Sequence, residues 1–214
     1  VRQIGLCYFY TRYYYYTMKQ VDTLQRQLGI ETVWDRLRSI SNPAPITRQV
    51  LGVSQADWVE PMAHVLSRLG VQKGMVVYGQ DGTDELSAAA NTRICEFADG
   101  QYKTYEICPE QFSLQRCDVR ELQGGTPTEN AAMTRRVLRG EMGPCRTAIL
   151  LNAGAGLYIG GASLTLAAGI TRARELIDSG MALEKMEDFI AMSQNMGKIE
   201  KVKIATCQDE LNMV

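Results

Sequence analysis

Histidine is almost absent from this chain: His64 is the only one among 214 residues. That leaves no second histidine from which to assemble a Ser/His/Asp or Cys/His catalytic arrangement. His64 itself sits mid-helix beside Ala63 and Val65 and reads as a partly buried or surface side chain rather than a general base. An excess of either charge is also lacking. The formal net charge is -1, so nothing draws the whole chain to nucleic acid or to an anionic membrane. Paired cysteines are lacking too. Cys7, Cys95, Cys108, Cys117, Cys145 and Cys207 are scattered and form no C-x-x-C unit, a pattern poor for zinc and for a secreted disulfide framework. Reduced, mostly buried thiols and a cytoplasmic setting are expected. Neither a G-x-G-x-x-G nor a G-x-x-x-x-G-K-[ST] run occurs, so neither dinucleotide nor P-loop binding is supported. No internal repeat, basic leader or export signal is read from the sequence.

One uncharged stretch, "TAILLNAGAGLYIGGASLTLAAGIT" at 147–171, is long enough to raise the question of a membrane span. Five glycines, Asn152, Ser163 and several threonines dilute it, and Gly160-Gly161 looks like a break. Two buried helices joined by a short turn are the expectation, with no membrane partner.

What is present reads as an α/β pattern. "IGLCYFY" and "QVLGV" suit buried strands. "SQADWVEPMAHVLSRLG" suits a helix capped by Ser54, with Val59, Met62, Ala63, Leu66 and Leu69 on its inner face. "MVVYG" then completes a parallel βαβ unit covered on both faces. "TRICEFADGQYKTYEIC" predicts a hairpin turning at Asp99-Gly100. Thr126, Pro127 and Glu129 compose a capping box, and "MALEKMEDFIAMSQ" is amphipathic. Met18, Val21, Leu24 and Leu28 recur at helical spacing, and a second helix is expected to end at Asn42-Pro43. The tyrosine-rich "YFYTRYYYY" is read as core or channel lining, since only Arg12 accompanies it.

The stretch that carries chemistry is "VVYGQDGTDELS" at 76–87, where Asp84 and Glu85 follow a strand end. Ligands of open α/β sheets collect there, and adjacent carboxylates can bind Mg²⁺ together with waters and substrate phosphates. On residue types alone a solvated turn is the commoner reading, with metal binding the alternative.

The order of motifs adds to this. "YTMKQV", "QLGIETVWD", "SNPA", "QVLGV", "VEPMAHVLSRLG", "MVVYGQDGTDELS", "GGTPTENAA", "LLNAGAGLYIGG" and "IDSGMALEKMEDFI" follow one another from about residue 3 to residue 192. In that order they resemble the anthranilate phosphoribosyltransferases, of the glycosyltransferase family 3 fold. The resemblance implies a mixed, mainly parallel sheet flanked by helices over 1–195, with a tail at 196–214. It implies transfer of phosphoribose from phosphoribosyl pyrophosphate to anthranilate in tryptophan biosynthesis, with Mg²⁺ held in part by Asp84 and Glu85. The family's glycine-rich phosphate loop and its Lys-His-Gly-Asn-Arg segment are not found in the 214 residues. The chain alone is therefore expected to be nearly inactive, its helices within 14–45 resting on a small helical domain it does not include.

The acceptor side departs from the pattern. Gln25 stands where the family has an arginine for the anthranilate carboxylate, with Arg26 next to it. A charge-assisted pair is worth roughly 1.5–3 kcal/mol, so a glutamine costs about tenfold to a hundredfold in affinity. Tyr15-Tyr16 and Arg38-Ser39 replace other usual pairs. A pyrimidine nucleoside phosphorylase-like enzyme and a non-catalytic scaffold remain alternatives. A homodimer or other association through the Tyr14–Ser41 helices is a further expectation.

Overall fold

The computed structural model describes residues 3–8, 37, 40, 41 and 44–194. The tyrosine tract from residue 9 onward, the helix expected around Met18 to Leu28, Gln25, Arg26 and the 196–214 tail lie outside the described residues.

Four strands form one sheet in the order β1 (Arg48–Gly52), β2 (Lys73–Gly79), β3 (Thr92–Ala98), β4 (Gln101–Ile107). β1 and β2 are parallel, from Arg48↔Lys73 to Gly52↔Val77, and are joined by α1 (Val59–Arg68). The other two pairings are antiparallel. The sheet is thus mixed as expected, with its parallel part confined, among the described residues, to β1 and β2. Asp99 and Gly100, at φ 50 and 79, make the predicted hairpin turn between β3 and β4.

Strand alternation divides the core into two layers. Val76, Cys95 and Phe97 meet Val59, Met62, Ala63 and Leu66 of α1 on one face. Met75, Val77 and Ile94 meet α3 (Pro144–Gly160) and α4 (Leu166–Asp178) on the other, through Leu150, Leu151, Ala155, Ile159 and Ile170. α2 (Pro127–Leu138) precedes them, opened by the predicted box of Thr126 and Glu129. A last helix covers 181–194. The uncharged stretch does form two helices broken at Gly161. They touch where Gly154 meets Ile170 and Gly169, so closely that a β-carbon at either glycine would strike backbone. No described helix is long and apolar enough to cross a membrane.

Four local expectations change. Residues 4–8 of "IGLCYFY" form a turn and irregular backbone rather than strand, with Gly5 at φ 79 and Tyr8 73% exposed. Ser54 is not a helix cap: a 3₁₀ turn over Ala56–Trp58 intervenes, and Gln55 precedes it without a side-chain cap. Leu69 lies beyond the last helical residue and is 61% exposed, because α1 closes before its next inward turn. Of the five described cysteines only Cys95 is buried, since the others sit on loops or at helix starts.

Candidate functional site

The segment between β2 and β3 folds over the carboxyl ends of the two parallel strands, and its shape follows from a few short polar side chains. Asp81 accepts hydrogen bonds from the Thr83 hydroxyl at 2.8 Å, the Thr83 amide at 3.3 Å and the Ser87 hydroxyl at 2.7 Å. Burial alone would raise the Asp81 pKa, but these donors outweigh it and hold the carboxyl below its ordinary value. Ser87 is itself buried, and its oxygen accepts from the amides of Ala89 and Ala90 at 2.9 and 2.8 Å. Asp81 and Ser87 thereby satisfy the backbone of a loop that would otherwise leave polar groups stranded.

Two further contacts seat this loop on the rest of the fold. The Asp84 carbonyl lies directly over Gly52 at the end of β1, where a β-carbon would overlap it. Glycine at 52 is what allows the approach. From the other side, Asn152 of α3 accepts from the Leu86 amide at 3.0 Å and donates to the Leu86 carbonyl at 3.0 Å. The Leu86 side chain is buried in the core beneath.

Asp84 and Glu85 are left as the exposed part of this frame. Neither carries a salt bridge or a side-chain hydrogen bond to another described residue. Both line a cavity of about 360 Å³ whose opposite wall is apolar: Leu122, Met133 and Val137, then Cys145, Ala148 and Ile149. Cys145 Sγ rests 3.3 Å from Met133 Sδ in that wall. The polar lining consists of Asp81, Thr83, Asp84, Glu85, Ser87 and Thr134, with no lysine, arginine or histidine among the lining residues. His64 is elsewhere, its ring 4.0 Å from that of Tyr102 on the α1 side of the sheet.

This donor set suits a hard divalent cation. Among the described residues no group of three or more His, Cys, Asp or Glu could encase a metal, which argues against a closed structural site. Mg²⁺ needs only one or two carboxylates and keeps its remaining positions for water and phosphate oxygens. Two adjacent carboxylates with no described partner fit that requirement. Asp81 is committed to its hydroxyl donors.

Comparison with known proteins decides the family. The family described as glycosyl transferase family, a/b domain, matches residues 1–183. The chain belongs to that family. An anthranilate phosphoribosyltransferase of Methanobrevibacter smithii is 42% identical over 190 residues, covering 89% of this chain and 57% of that protein. Among solved structures, the anthranilate phosphoribosyltransferase of Thermus thermophilus superposes with TM-score 0.75 at 40% identity, over 81% of this chain and 51% of the other. That of Saccharomyces cerevisiae, in complex with PRPP and Mg, superposes with TM-score 0.74 at 27% identity, over 81% and 50%. The chain therefore spans just over half the length of these relatives.

Of the residues singled out from the sequence, the structure brings Asp84 and Glu85 together at the strand ends, and Gln25 and Arg26 fall outside the described part. Asp81, Ser87, Asn152 and Gly52 were not singled out as site residues. Asn152 carried one signal, as a lone amide inside an apolar helix. Gly52 carried another, as a glycine ending a strand-like run.

Proposed function

We propose that this chain is the α/β portion of an anthranilate phosphoribosyltransferase, in which Asp84 and Glu85 hold the Mg²⁺ that accompanies the donor's pyrophosphate. The observation that carries this reading is the lining of the cavity at the strand ends. Its charged groups are all carboxylates, so a pyrophosphate beside it would be repelled unless a cation stood between them. When bound, Mg²⁺ supplies neutralisation of the charge that gathers on pyrophosphate as it departs.

The chain's own residues do the rest of the local work. Asp84 and Glu85 offer hard oxygen ligands. Asp81, Ser87 and the glycine at 52 fix the loop that presents them. Met133, Val137, Ala148 and Ile149 form an apolar wall beside the acids, which lowers the local polarity at the rim and strengthens electrostatic attraction there. Binding of anthranilate near Gln25 and Arg26, a cytoplasmic setting, association through Tyr14–Ser41 and the 1–195 domain limit belong to the same proposal. So does the view that the phosphate cradle lies in the portion of the longer relatives that this chain does not match, which makes the chain alone nearly inactive.

Calorimetric titration of the chain with pyrophosphate, with and without Mg²⁺, tests the reading. Saturable binding that requires Mg²⁺ and disappears in Asp84→Asn/Glu85→Gln is expected. Absence of saturation at millimolar Mg²⁺–pyrophosphate, or equal binding without the metal, would overturn it.

A further inference from the structure

Asn152 sits in the middle of α3, an apolar helix in which asparagine is an unfavourable choice. Its amide nevertheless uses both donors and an acceptor. Oδ1 receives the Leu86 N–H at 3.0 Å, and Nδ2 donates to the Leu86 and Ala148 carbonyls at 3.0 Å each. Turning the amide over would set its oxygen against two carbonyls and its NH₂ against an N–H, so the network fixes a single orientation. Toward Leu86 the side chain acts as a neighbouring strand would, accepting from the N–H and donating to the C=O of one residue. A carboxylate cannot donate in this way, and a hydroxyl lacks the planar fork.

The helix that carries Asn152 is itself immobilised. Arg48 donates to the Ile159 carbonyl at 3.1 Å and Lys73 to the Tyr158 carbonyl at 3.4 Å, tying the last turn of α3 to β1 and β2. Midway, Gly154 lies against Ile170 and Gly169 of α4. Asn152 is therefore a fixed point relative to the sheet, and the residue it grips directly follows Glu85.

We infer that Asn152 is a positioning residue for the cation site: it holds the Leu86 backbone so that Asp84 and Glu85 are presented together at the cavity rim. This rests on the reading of the two acids as cation ligands. The loop has other supports: the Asp84 carbonyl rests over Gly52, Asp81 accepts from the Ser87 hydroxyl at 2.7 Å, and the Ser87 amide donates to Thr92 Oγ1 at 2.9 Å. Asn152 is the described side chain that engages both backbone groups of Leu86, the residue directly after the acids. Without the clamp both backbone groups of Leu86 lose that partner, and the acids must be ordered at the expense of binding.

The test combines amide hydrogen exchange of the 81–88 segment with Mg²⁺–pyrophosphate titration, in the wild-type chain, Asn152→Leu, Asn152→Asp and Ile159→Ala. The last hollows the core about two turns along α3 from Asn152 and leaves the Asn152 amide intact. In both Asn152 variants the affinity should fall about tenfold, as loss of a hydrogen-bonded clamp would give, and exchange at 81–88 should quicken while α3 stays protected. Ile159→Ala should lower the melting temperature and leave the affinity unchanged. Wild-type affinity in the Asn152 variants, or a loss that merely tracks melting temperature as in Ile159→Ala, would overturn the inference. So would an unprotected Leu86 amide in the wild-type chain, which needs no variant to fold. If wild-type chain fails to bind Mg²⁺–pyrophosphate while exchange at 81–88 still depends on Asn152, the cation reading falls, and Asn152 is a loop anchor with no role toward a metal.

Discussion

At the amino-terminal ends of β1 and β2, Arg48 and Lys73 reach the last carbonyls of α3, where the helix dipole favours cations. Lys73 also stands 3.8 Å from the centre of the Tyr158 ring. The hydroxyls of Tyr158 and Tyr105 both donate to Glu96, the second at 2.8 Å. Burial, reinforced by that carboxylate, pushes the Tyr158 pKa up to about 12. At the carboxyl-terminal ends of the same strands, Asp84 and Glu85 face a cavity without a described partner. One end satisfies its charges within the fold, and the other leaves two of one sign exposed. Internally paired groups earn stability, whereas two like charges side by side with no described partner repel each other, and under the proposed reading a cation relieves that repulsion.

Four measurements would break or sharpen that contrast. The largest effect should come from Asp84→Asn/Glu85→Gln, with Mg²⁺–pyrophosphate affinity reduced on the order of 100-fold and the urea midpoint unchanged. A large stability change would show the pair to be structural. Next, Glu96→Ala strands two partly buried phenols and should cost about 2 kcal/mol in urea unfolding with no change in affinity. A matching loss of affinity would mean that the two ends are not separable. Gly52→Ala forces a methyl into the Asp84 carbonyl and should cost about 1–3 kcal/mol. It should also weaken the cation, since the loop must move, and calorimetry on the folded variant reads that second effect.

The smallest effect concerns acid. Asp81 is held below its ordinary value in the folded chain. Its contribution is therefore complete above the ordinary aspartate pKa of about 3.9, and is lost as pH falls from there through the lowered folded value. Asp81→Asn should flatten that acid limb of the stability profile. An unchanged limb would show that other carboxylates govern it.

The parts of this molecule that were legible beforehand are those in which a short run fixes its own geometry. Asp99-Gly100 turns the hairpin, Thr126 and Glu129 cap α2, and Gly160-Gly161 ends α3, because in each case the interacting groups lie within a few residues. Errors arose where neighbours compete. The 3₁₀ turn at Ala56–Trp58 displaced the cap expected at Ser54, and "IGLCYFY" has strand composition without a described strand partner. Mostly buried cysteines were also expected, but loop placement left four of the five described thiols at least partly accessible.

By itself, then, the sequence determined the strand–helix order, the family resemblance and the position of Asp84-Glu85 after a strand, since periodicity and motif order are properties of the chain alone. Tertiary structure decided what that acid pair is attached to. Asn152 meets Leu86 across 66 positions, and Gly52 meets Asp84 only because β1 and β2 lie parallel with α1 between them. No local pattern encodes such a meeting. A hydrogen bond between distant residues exists only after the core on both sides of the sheet has set the distance between them.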